Sequence, residues 1–321
     1  MAYADKRFVM HPQDESLVYF PKVVVCLAAY NGAHYLNQQL NSILWQVGVE
    51  VTIYVSVDKS LDGTELLVDH YTKKHNRVIA LTYGEVFGGA APNFYRLICE
   101  VDFSKFDFVS FSDQDDIWQE DKLIRHVELM QTNNVDGVSS NVVAFWPDGT
   151  VRLIDKSQPQ RELDFIFESA GPGCTFLMTP WLVREVKKLL GDKSSVVNEV
   201  ALHDWLVYAV CRASSKKWYI DSTPSLQYRQ HNENVVGANS GIRPKLARLR
   251  KISNGWYRAE VLKILAVTYQ LSNNPKLLTI SRLLEKTNFL SRVKLLRFIP
   301  QARRKISDRI FLALMIVFGL F

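Results

Sequence analysis

The chain has 321 residues, of which 47% are hydrophobic and 22% are charged. This balance excludes a largely disordered protein, and the length suits one large α/β domain with an appendage or two modest domains. The net charge of +6 conceals two regions of opposite sign. Residues 1–242 hold 22 Lys and Arg against 30 Asp and Glu, whereas residues 243–321 hold 17 against three. We therefore expect the two regions to have different functions.

The N-terminal segment and the cysteines predict a cytosolic protein. Met1–Gln13 lacks the apolar core of a signal peptide, so nothing in it predicts export. The four cysteines are widely separated and have no metal-type spacing. We expect them to be reduced and mostly buried thiols; they are Cys26, Cys99, Cys174 and Cys211.

Strands and helices alternate from the first predicted strand onward. A continuous apolar run predicts a central parallel strand, and an alternating run predicts the next one. Leu36, Leu40, Ile43 and Leu44 recur at helical spacing between these two strands. This rhythm predicts a parallel, doubly wound α/β sheet. The first four predicted strands are Lys22–Ala29, Val51–Val57, Val78–Thr82 and Phe108–Ser112.

The fourth strand ends abruptly in acidic residues. Asp113, Asp115 and Asp116 follow it within four positions, with Gln114 between them. Carboxylates this close repel one another unless a positive charge lies between them, and a divalent cation is the best candidate. The alternative is a solvated acidic turn before a helix whose first-turn acids favour the helix dipole.

Polar loops follow three of these strands, at Tyr30–Gly32, Asp58–Thr64 and Asp113–Asp116. The carboxyl ends of parallel strands lie at one edge of a sheet, so the loops can share a ligand. Their coincidence predicts a nucleotide-sized site. The chain has neither a dinucleotide-binding glycine fingerprint nor a phosphate-loop Lys motif, so metal and side chains would hold the nucleotide.

The pattern changes after Gly137. One strand is predicted at Val138–Phe145, a second at Val151–Ile154 and a third at Cys174–Met178. A helix is predicted at Trp181–Leu190. Gly171–Gly173 is either an ordinary tight turn or a place where the backbone approaches a ligand.

Asp204 lies in a strongly apolar helical stretch. An unpaired buried carboxylate costs several kcal/mol, roughly, so it is either functional or the N-cap of a helix that begins there. We favour function. His203 is predicted to be a core residue. His231 is a surface histidine unless the acidic strand end needs a nitrogen ligand for a cation.

The basic C-terminal region predicts amphipathic helices around Leu246–Ile252, Val261–Leu265 and Leu283–Leu290, and it ends in the apolar run Ile310–Phe321. Twelve residues are too few to span a bilayer, which needs about 20. Basic helices joined to an apolar end favour contact with an anionic membrane surface. Packing on the catalytic domain or on a second subunit, and nucleic-acid binding, are the alternatives, and we expect no nucleic-acid partner.

In order and spacing, these segments resemble the family 2 glycosyltransferases, which are inverting enzymes of the GT-A fold. Within that family they resemble bacterial rhamnosyltransferases that build surface polysaccharides such as O-antigen. The resemblance covers residues 20–240. It depends on four segments: Ala28–Gly32, Asp58–Thr64, Ser112–Trp118, and His203–Trp205 taken with Tyr228–Gly237.

The resemblance implies the role of each site residue. Asp115 would bind the metal that bridges the donor diphosphate, with His231 as a further ligand and Asp113 contacting ribose or metal. Asp204 would be the general base that takes the proton from the acceptor hydroxyl. Tyr30 and Asp58 would help to hold the nucleotide base of the donor. The full donor-binding set that we predict is Ala29, Tyr30, Asn31, Asp58, Asn93, Asp113 and Gln114.

The sequence thus predicts a GT-A catalytic domain at 1–240, with a Rossmann-like, mostly parallel sheet, and a helical extension at 241–321. The predicted reaction is metal-dependent (Mn²⁺ or Mg²⁺) inverting transfer of rhamnose from dTDP-rhamnose to a lipid-linked or growing glycan, on the inner face of the cell membrane. Oligomerisation is left open. The alternatives are a UDP-hexose or UDP-N-acetylhexosamine donor, a metal-dependent nucleotidyltransferase or phosphohydrolase, and a non-catalytic membrane scaffold.

Overall fold

The computed structural model describes residues 19–231, 255–272, 274–286 and 288–321. A seven-stranded sheet forms the centre of the fold, in the order β3-β2-β1-β4-β9-β6-β10. All neighbouring strands are parallel except β9, which is antiparallel to β4 and to β6. The strands are β1 (Lys22–Ala29), β2 (Glu50–Val57), β3 (Val78–Ala80), β4 (Phe108–Ser112), β6 (Gly137–Ser140), β9 (Leu177–Met178) and β10 (Trp218–Asp221).

Helices cover both faces of this sheet, which explains the unbroken apolar run of β1. Val23, Val25 and Leu27 face one core, where α1 packs. Val24 and Cys26 face the other core, where α3 and α7 pack. Because successive side chains of a strand alternate between faces, every residue of a doubly covered strand must be apolar. The helices of this part are α1 (Ala33–Leu44), α2 (Thr64–Lys74), α3 (Ala90–Glu100), α4 (Lys122–Asn133), α5 (Asp164–Phe167), α6 (Pro180–Leu190) and α7 (His203–Ala213).

The prediction of one strand at Val138–Phe145 is wrong. The chain leaves the central sheet at Asn141, so β6 belongs to the main sheet and the next strand, β7, to a second one. Asn141 accepts hydrogen bonds from the backbone of Lys156 and Ser157, which fixes the change of direction. The second sheet has the order β5-β11-β7-β8, formed by β5 (Ile117–Trp118), β11 (Leu226–Arg229), β7 (Val142–Phe145) and β8 (Val151–Ile154).

The strand predicted at Cys174–Met178 is shorter than expected. Gly173–Thr175 forms a 3-10 turn, and only Leu177–Met178 pairs in the sheet, as β9. The turn places Cys174 and its neighbours beneath the carboxyl end of β4. The helix predicted at Trp181–Leu190 is confirmed as α6, and all four cysteines are free thiols, of which Cys99 alone is exposed.

The C-terminal helices pack on the catalytic domain. Val261, Ile264 and Leu265 share the core that contains Phe94 and Trp205. None of the helices among the described residues combines the length and apolarity needed to cross a bilayer. The predicted helix around Leu246–Ile252 and the predicted boundary at 240/241 lie outside the described residues. The helices are α8 (Trp256–Leu271), α9 (Pro275–Glu285), α10 (Phe289–Leu296), α11 (Ile299–Ala302) and α12 (Ile306–Phe318).

Candidate active site

The three polar loops meet at the carboxyl edge of β1, β2 and β4. The Gln114 side chain accepts a hydrogen bond from Tyr30 N (2.7 Å) and donates one to Tyr30 O (2.9 Å). Asn31 has a left-handed backbone (φ 44°), donates its N–H to Ser60 Oγ (3.0 Å) and accepts from Leu61 N (2.9 Å) through Oδ1. The predicted convergence of the loops is therefore present in the structure.

Asp58 and Asn93 organise this edge through backbone contacts. Asp58 is buried and accepts hydrogen bonds from Phe87 N (2.9 Å) and Gly88 N (3.0 Å), one on each oxygen. Asn93 donates from Nδ2 to Ala29 O and to Ser56 O, both at 3.2 Å. It thereby joins the ends of β1 and β2. These contacts hold the loops in place, and the donor contacts of Ala29, Asp58 and Asn93 remain predictions.

Asp115 and His231 come together although 116 positions separate them. Asp115 Oδ2 lies 2.6 Å from His231 Nε2, and both side chains are largely buried. Arg229 connects the same two segments, since its Nε donates to Asp115 O (2.8 Å) and its N–H donates to Asp116 Oδ1 (3.2 Å). The strand pairing of β11 with β5 explains this contact, because β5 directly follows the acidic loop.

Asp113 and Asp204 share an electrostatic environment. Burial is the main cause that raises the pKa of Asp113 to about 7, and the charges of Asp115 and Asp204 raise it further. The turn Gly173–Thr175 lies between the two residues. A Cβ on Gly173 would be 3.3 Å from Asp204 Cβ, and Cys174 Sγ lies within 4.8 Å of an Asp113 carboxylate oxygen. Asp113, directly after β4, and Asp204, in α7, therefore lie close enough for the charge of Asp204 to raise the pKa of Asp113.

Asp204 is not an N-cap. Helix α7 begins at His203, so Asp204 lies in its first turn, where Oδ1 accepts a hydrogen bond from Trp205 N (2.7 Å). Burial raises the pKa of Asp204 to about 6, against the opposing effects of the Trp205 amide and the Lys156 charge. A carboxyl group with a pKa near neutrality can accept a proton and release it again.

His203 is a core residue, as predicted. Its ring stacks on Phe94 with centroids 3.8 Å apart, and burial lowers its pKa to about 3, so the ring is neutral. Gly173 is required beside it, because an added Cβ would lie 2.5 Å from His203 Nε2. Gly171–Gly173 leads into a 3-10 turn, and at Gly173 the backbone packs against His203; approach of this backbone to a ligand stays a prediction.

Asp116, Lys122 and Cys174 are buried polar residues near the site, and the sequence assigned none of them an individual role. Asp116 and Lys122 are fully buried, and Lys122 Nζ lies 3.1 Å above the centre of the Trp118 ring. Burial raises the pKa of Asp116 and of the Cys174 thiol and lowers that of Lys122. The sequence signal for Asp116 was present, because it continues the acidic run. Nothing local marks Cys174 or Lys122, since their burial depends on the distant packing of the 3-10 turn against β4.

Two sets of side chains could bind a cation here. The side-chain atoms of Asp113, Asp116 and Cys174 lie within 4.8 Å of one another, but burial disfavours the charged forms of Asp116 and Cys174. Asp115 and His231 offer an oxygen and a nitrogen that already lie 2.6 Å apart. A divalent cation such as Mn²⁺ accepts both kinds of ligand, so Asp115 and His231, with Asp113 beside them, fit it better.

The sequence profile of Glycosyl transferase family 2 matches residues 24–172. The chain is 38% identical over 299 residues to "dTDP-rhamnosyl transferase RfbG" of Shigella flexneri, covering 92% of this chain and 100% of that protein. The chain belongs to glycosyltransferase family 2. It is also 24% identical over 119 residues to "UDP-Glc:alpha-D-GlcNAc-diphosphoundecaprenol beta-1,3-glucosyltransferase WfgD" of Escherichia coli, covering 37% of this chain and 45% of that one.

Solved structures show the same fold. S. aureus TarS (residues 1–349, in complex with UDP) matches with a TM-score of 0.57 and 16% identity, over 90% of this chain and 77% of that one. The mannosyltransferase PcManGT from Pyrobaculum calidifontis, in complex with GDP-Man and Mn²⁺, matches with a TM-score of 0.50 and 16% identity, over 94% and 81% of the two chains. The predicted GT-A fold and glycosyltransferase activity are confirmed.

Proposed function

We propose that this glycosyltransferase is a metal-dependent inverting rhamnosyltransferase that uses dTDP-rhamnose. The observation that supports the proposal is that Asp204, in α7, lies near the acidic loop after β4: its charge raises the pKa of Asp113, and both residues adjoin the turn Gly173–Thr175. Inverting transfer needs a base on one side of the sugar and charge neutralisation on the other, so the groups must come from separate parts of the chain. The 38% identity to a dTDP-rhamnosyl transferase over nearly the whole chain supports the choice of sugar.

Asp204 would act as the general base. It takes the proton from the acceptor hydroxyl while that oxygen attacks the anomeric carbon, and the bond from this carbon to the phosphate oxygen breaks. Attack on the face opposite the diphosphate inverts the configuration. A positioned base of this kind contributes a factor of about 10² to 10⁴ to the rate. The pKa of about 6 keeps Asp204 largely ionised at pH 7.

Asp115 and His231 would hold the divalent cation, with Asp113 beside them. When bound there, the cation would neutralise the negative charge that develops on the leaving diphosphate. The short contact between Asp115 Oδ2 and His231 Nε2 supports this assignment, because it brings a carboxylate oxygen and an imidazole nitrogen to one point, where a bound cation would replace the hydrogen bond between them. Tyr30, whose side chain is 56% exposed, would contact the nucleotide base of the donor.

The acceptor in this proposal is a growing or lipid-linked surface glycan, and the enzyme works on the inner face of the cell membrane. The strongly basic C-terminal region supports a membrane location, since anionic lipids attract Lys and Arg. The relative WfgD is a UDP-Glc:alpha-D-GlcNAc-diphosphoundecaprenol beta-1,3-glucosyltransferase, which is consistent with such a lipid-linked substrate.

A donor panel tests the proposal. The purified chain is incubated with dTDP-rhamnose, UDP-glucose, UDP-GlcNAc or GDP-mannose, with Mn²⁺, with Mg²⁺ or with EDTA, and release of nucleoside diphosphate is measured. We expect turnover with dTDP-rhamnose in either metal and none in EDTA. Preference for a UDP-sugar would replace the rhamnosyl assignment by the UDP-hexose alternative. Turnover that EDTA does not affect would contradict the proposed metal dependence. With an acceptor glycan added, proton NMR of the glycoside that forms gives its anomeric configuration.

A further inference from the structure

Helices α10 and α12, near the end of the chain, expose a continuous apolar surface. On α12, Ile306, Ile310, Leu314 and Val317 recur at helical spacing and are 67%, 57%, 50% and 44% exposed. Phe311 and Phe318 flank this stripe, and both are exposed. The opposite side of the helix is buried through Leu312, Met315 and Ile316.

Helix α10 continues the same surface. It packs against α12 and exposes Phe289 (72%), Leu290 (61%) and Val293 (46%), while Ser291 and Leu295 are buried. Leu295, Leu312 and Ile316 belong to one core, so one side of each helix packs against the protein body. The exposed apolar side chains lie on the sides that point away from it. We call the exposed side chains of α10 and α12 the terminal apolar face.

Basic residues surround this face. Between residues 286 and 321 the chain has eight Lys and Arg and a single acid, Asp308, which is paired with Arg303 (3.1 Å). Arg303 and Arg304 are held by acids of the catalytic domain. The others are at or near the surface: Lys286, Arg292, Lys294, Arg297, Lys305 and Arg309.

We infer that the terminal apolar face docks on the surface of an anionic lipid bilayer. A helix face with large apolar side chains and a rim of Lys and Arg binds in the interfacial region of such a membrane. The charge argues against a second copy of this chain as the occupant. In a symmetric dimer the same basic rim would face itself, and like charges across an interface disfavour association.

Vesicle flotation tests this inference independently of the sugar-transfer reaction. The full chain is mixed with vesicles of phosphatidylcholine alone or with about one third phosphatidylserine, and the bound fraction is measured at low and high salt. We expect binding to the anionic vesicles and much weaker binding to the neutral ones. Because salt screens the attraction between the basic residues and the anionic lipids, high salt should weaken the binding.

Two matched double variants locate the surface. Leu314→Ser with Phe318→Ser removes apolar area from the terminal apolar face and should lower vesicle binding by about tenfold or more. Trp45→Ser with Leu66→Ser changes side chains that are 73% and 75% exposed on the catalytic domain, and should bind as the wild type does. Because all four residues are exposed, both variants should keep the wild-type melting temperature and the wild-type turnover of a soluble acceptor.

Three results would overturn the inference. One is the absence of binding to either kind of vesicle, and another is undiminished binding by the Leu314→Ser, Phe318→Ser variant. The third is a stable dimer in light scattering that this variant dissociates, because a second copy would then be the occupant. The inference rests on the proposed membrane location but not on the proposed reaction: loss of vesicle binding with normal turnover would remove the membrane location and leave the sugar-transfer assignment intact.

Discussion

Tyr35 stacks on His231, with ring centroids 5.0 Å apart and an angle of 23° between the ring planes. The Arg229 guanidinium also lies over the Tyr35 ring, 4.8 Å from its centre, and donates a hydrogen bond to Gln38 Oε1 at 2.6 Å. Both Tyr35 and Gln38 come from α1, so this helix holds the segment that carries His231. Residues of α1 thus help to orient the imidazole towards Asp115, with which it would form the proposed metal site.

Substituting Tyr35 should weaken metal binding. Tyr35→Ala removes the stacked ring, which is worth about 0.5–1.5 kcal/mol, and should raise the Kd for Mn²⁺ by about 2- to 12-fold. Tyr35→Phe keeps the ring and should bind Mn²⁺ as the wild type does. Titration followed by electron paramagnetic resonance of free Mn²⁺ measures both. Equal affinities for the two variants would show that the stack does not position His231.

Removal of a direct ligand should have a larger effect. Asp115→Asn keeps the shape of the side chain but removes its charge, so we expect the Kd for Mn²⁺ to rise by at least about 100-fold, since ionised oxygen is the ligand that such cations prefer. Asp102→Asn is the matched control, because Asp102 is an exposed carboxylate that contacts only the nearby Ser104 in the structure. If Asp115→Asn bound Mn²⁺ normally, the cation would lie elsewhere.

The pH dependence should follow Asp204. Its pKa is raised to about 6, and only the ionised form accepts a proton. Below pH 6 the carboxyl group is protonated, so kcat/KM at saturating Mn²⁺ should fall tenfold per pH unit, and above pH 7 it should level off. A profile that is flat between pH 5 and pH 7 would contradict this assignment.

A substitution of Lys156 tests whether Asp204 causes the fall of kcat/KM at low pH, which is the acidic limb of the profile. The charge of Lys156 lowers the pKa of Asp204, so Lys156→Met should raise that pKa and move the limb to higher pH. Turnover should therefore fall more at pH 6 than at pH 8. A limb that did not move would belong to another group, of which Asp113, with its pKa of about 7, is the first to consider.

A buried ion network joins the C-terminal region to the catalytic domain. Asp164 is fully buried and accepts from Arg304 Nη1 (3.3 Å) and Arg212 Nη1 (3.1 Å). Arg304→Met leaves part of the Asp164 charge without a partner and should lower the free energy of unfolding by about 3–5 kcal/mol. Lys276→Gln breaks an exposed pair with Glu162 and should cost at most about 1 kcal/mol. Urea denaturation measures both, and equal losses would contradict the prediction.

The sequence was sufficient where local pattern determines the structure. The apolar run of β1 and the alternation in β2 predicted the sheet edge, and the loops at Tyr30 and Asp113 meet there. The break at Asn141 could not be predicted, because a single Asn is a weak turn signal and only tertiary pairing assigns β6 and β7 to different sheets. A pattern analysis therefore joins them into one strand.

The same limit applies to the site. Asp113 and Asp115 were identified because an acidic cluster at a strand end is locally visible. Tyr35 was not, since a tyrosine in an amphipathic helix carries no sign that its ring will contact a histidine almost 200 positions away. The contact depends on β11 pairing with β5, which no local feature predicts.

Single-turnover transfer by Asp204→Asn, measured together with calorimetric binding of dTDP-rhamnose and Mn²⁺, tests the central assignment most directly. If Asp204 is the base, the rate of transfer falls by about 10²- to 10⁴-fold while the donor binds with nearly unchanged affinity. Transfer at the wild-type rate would contradict the account, as would a loss of rate explained entirely by a loss of donor binding.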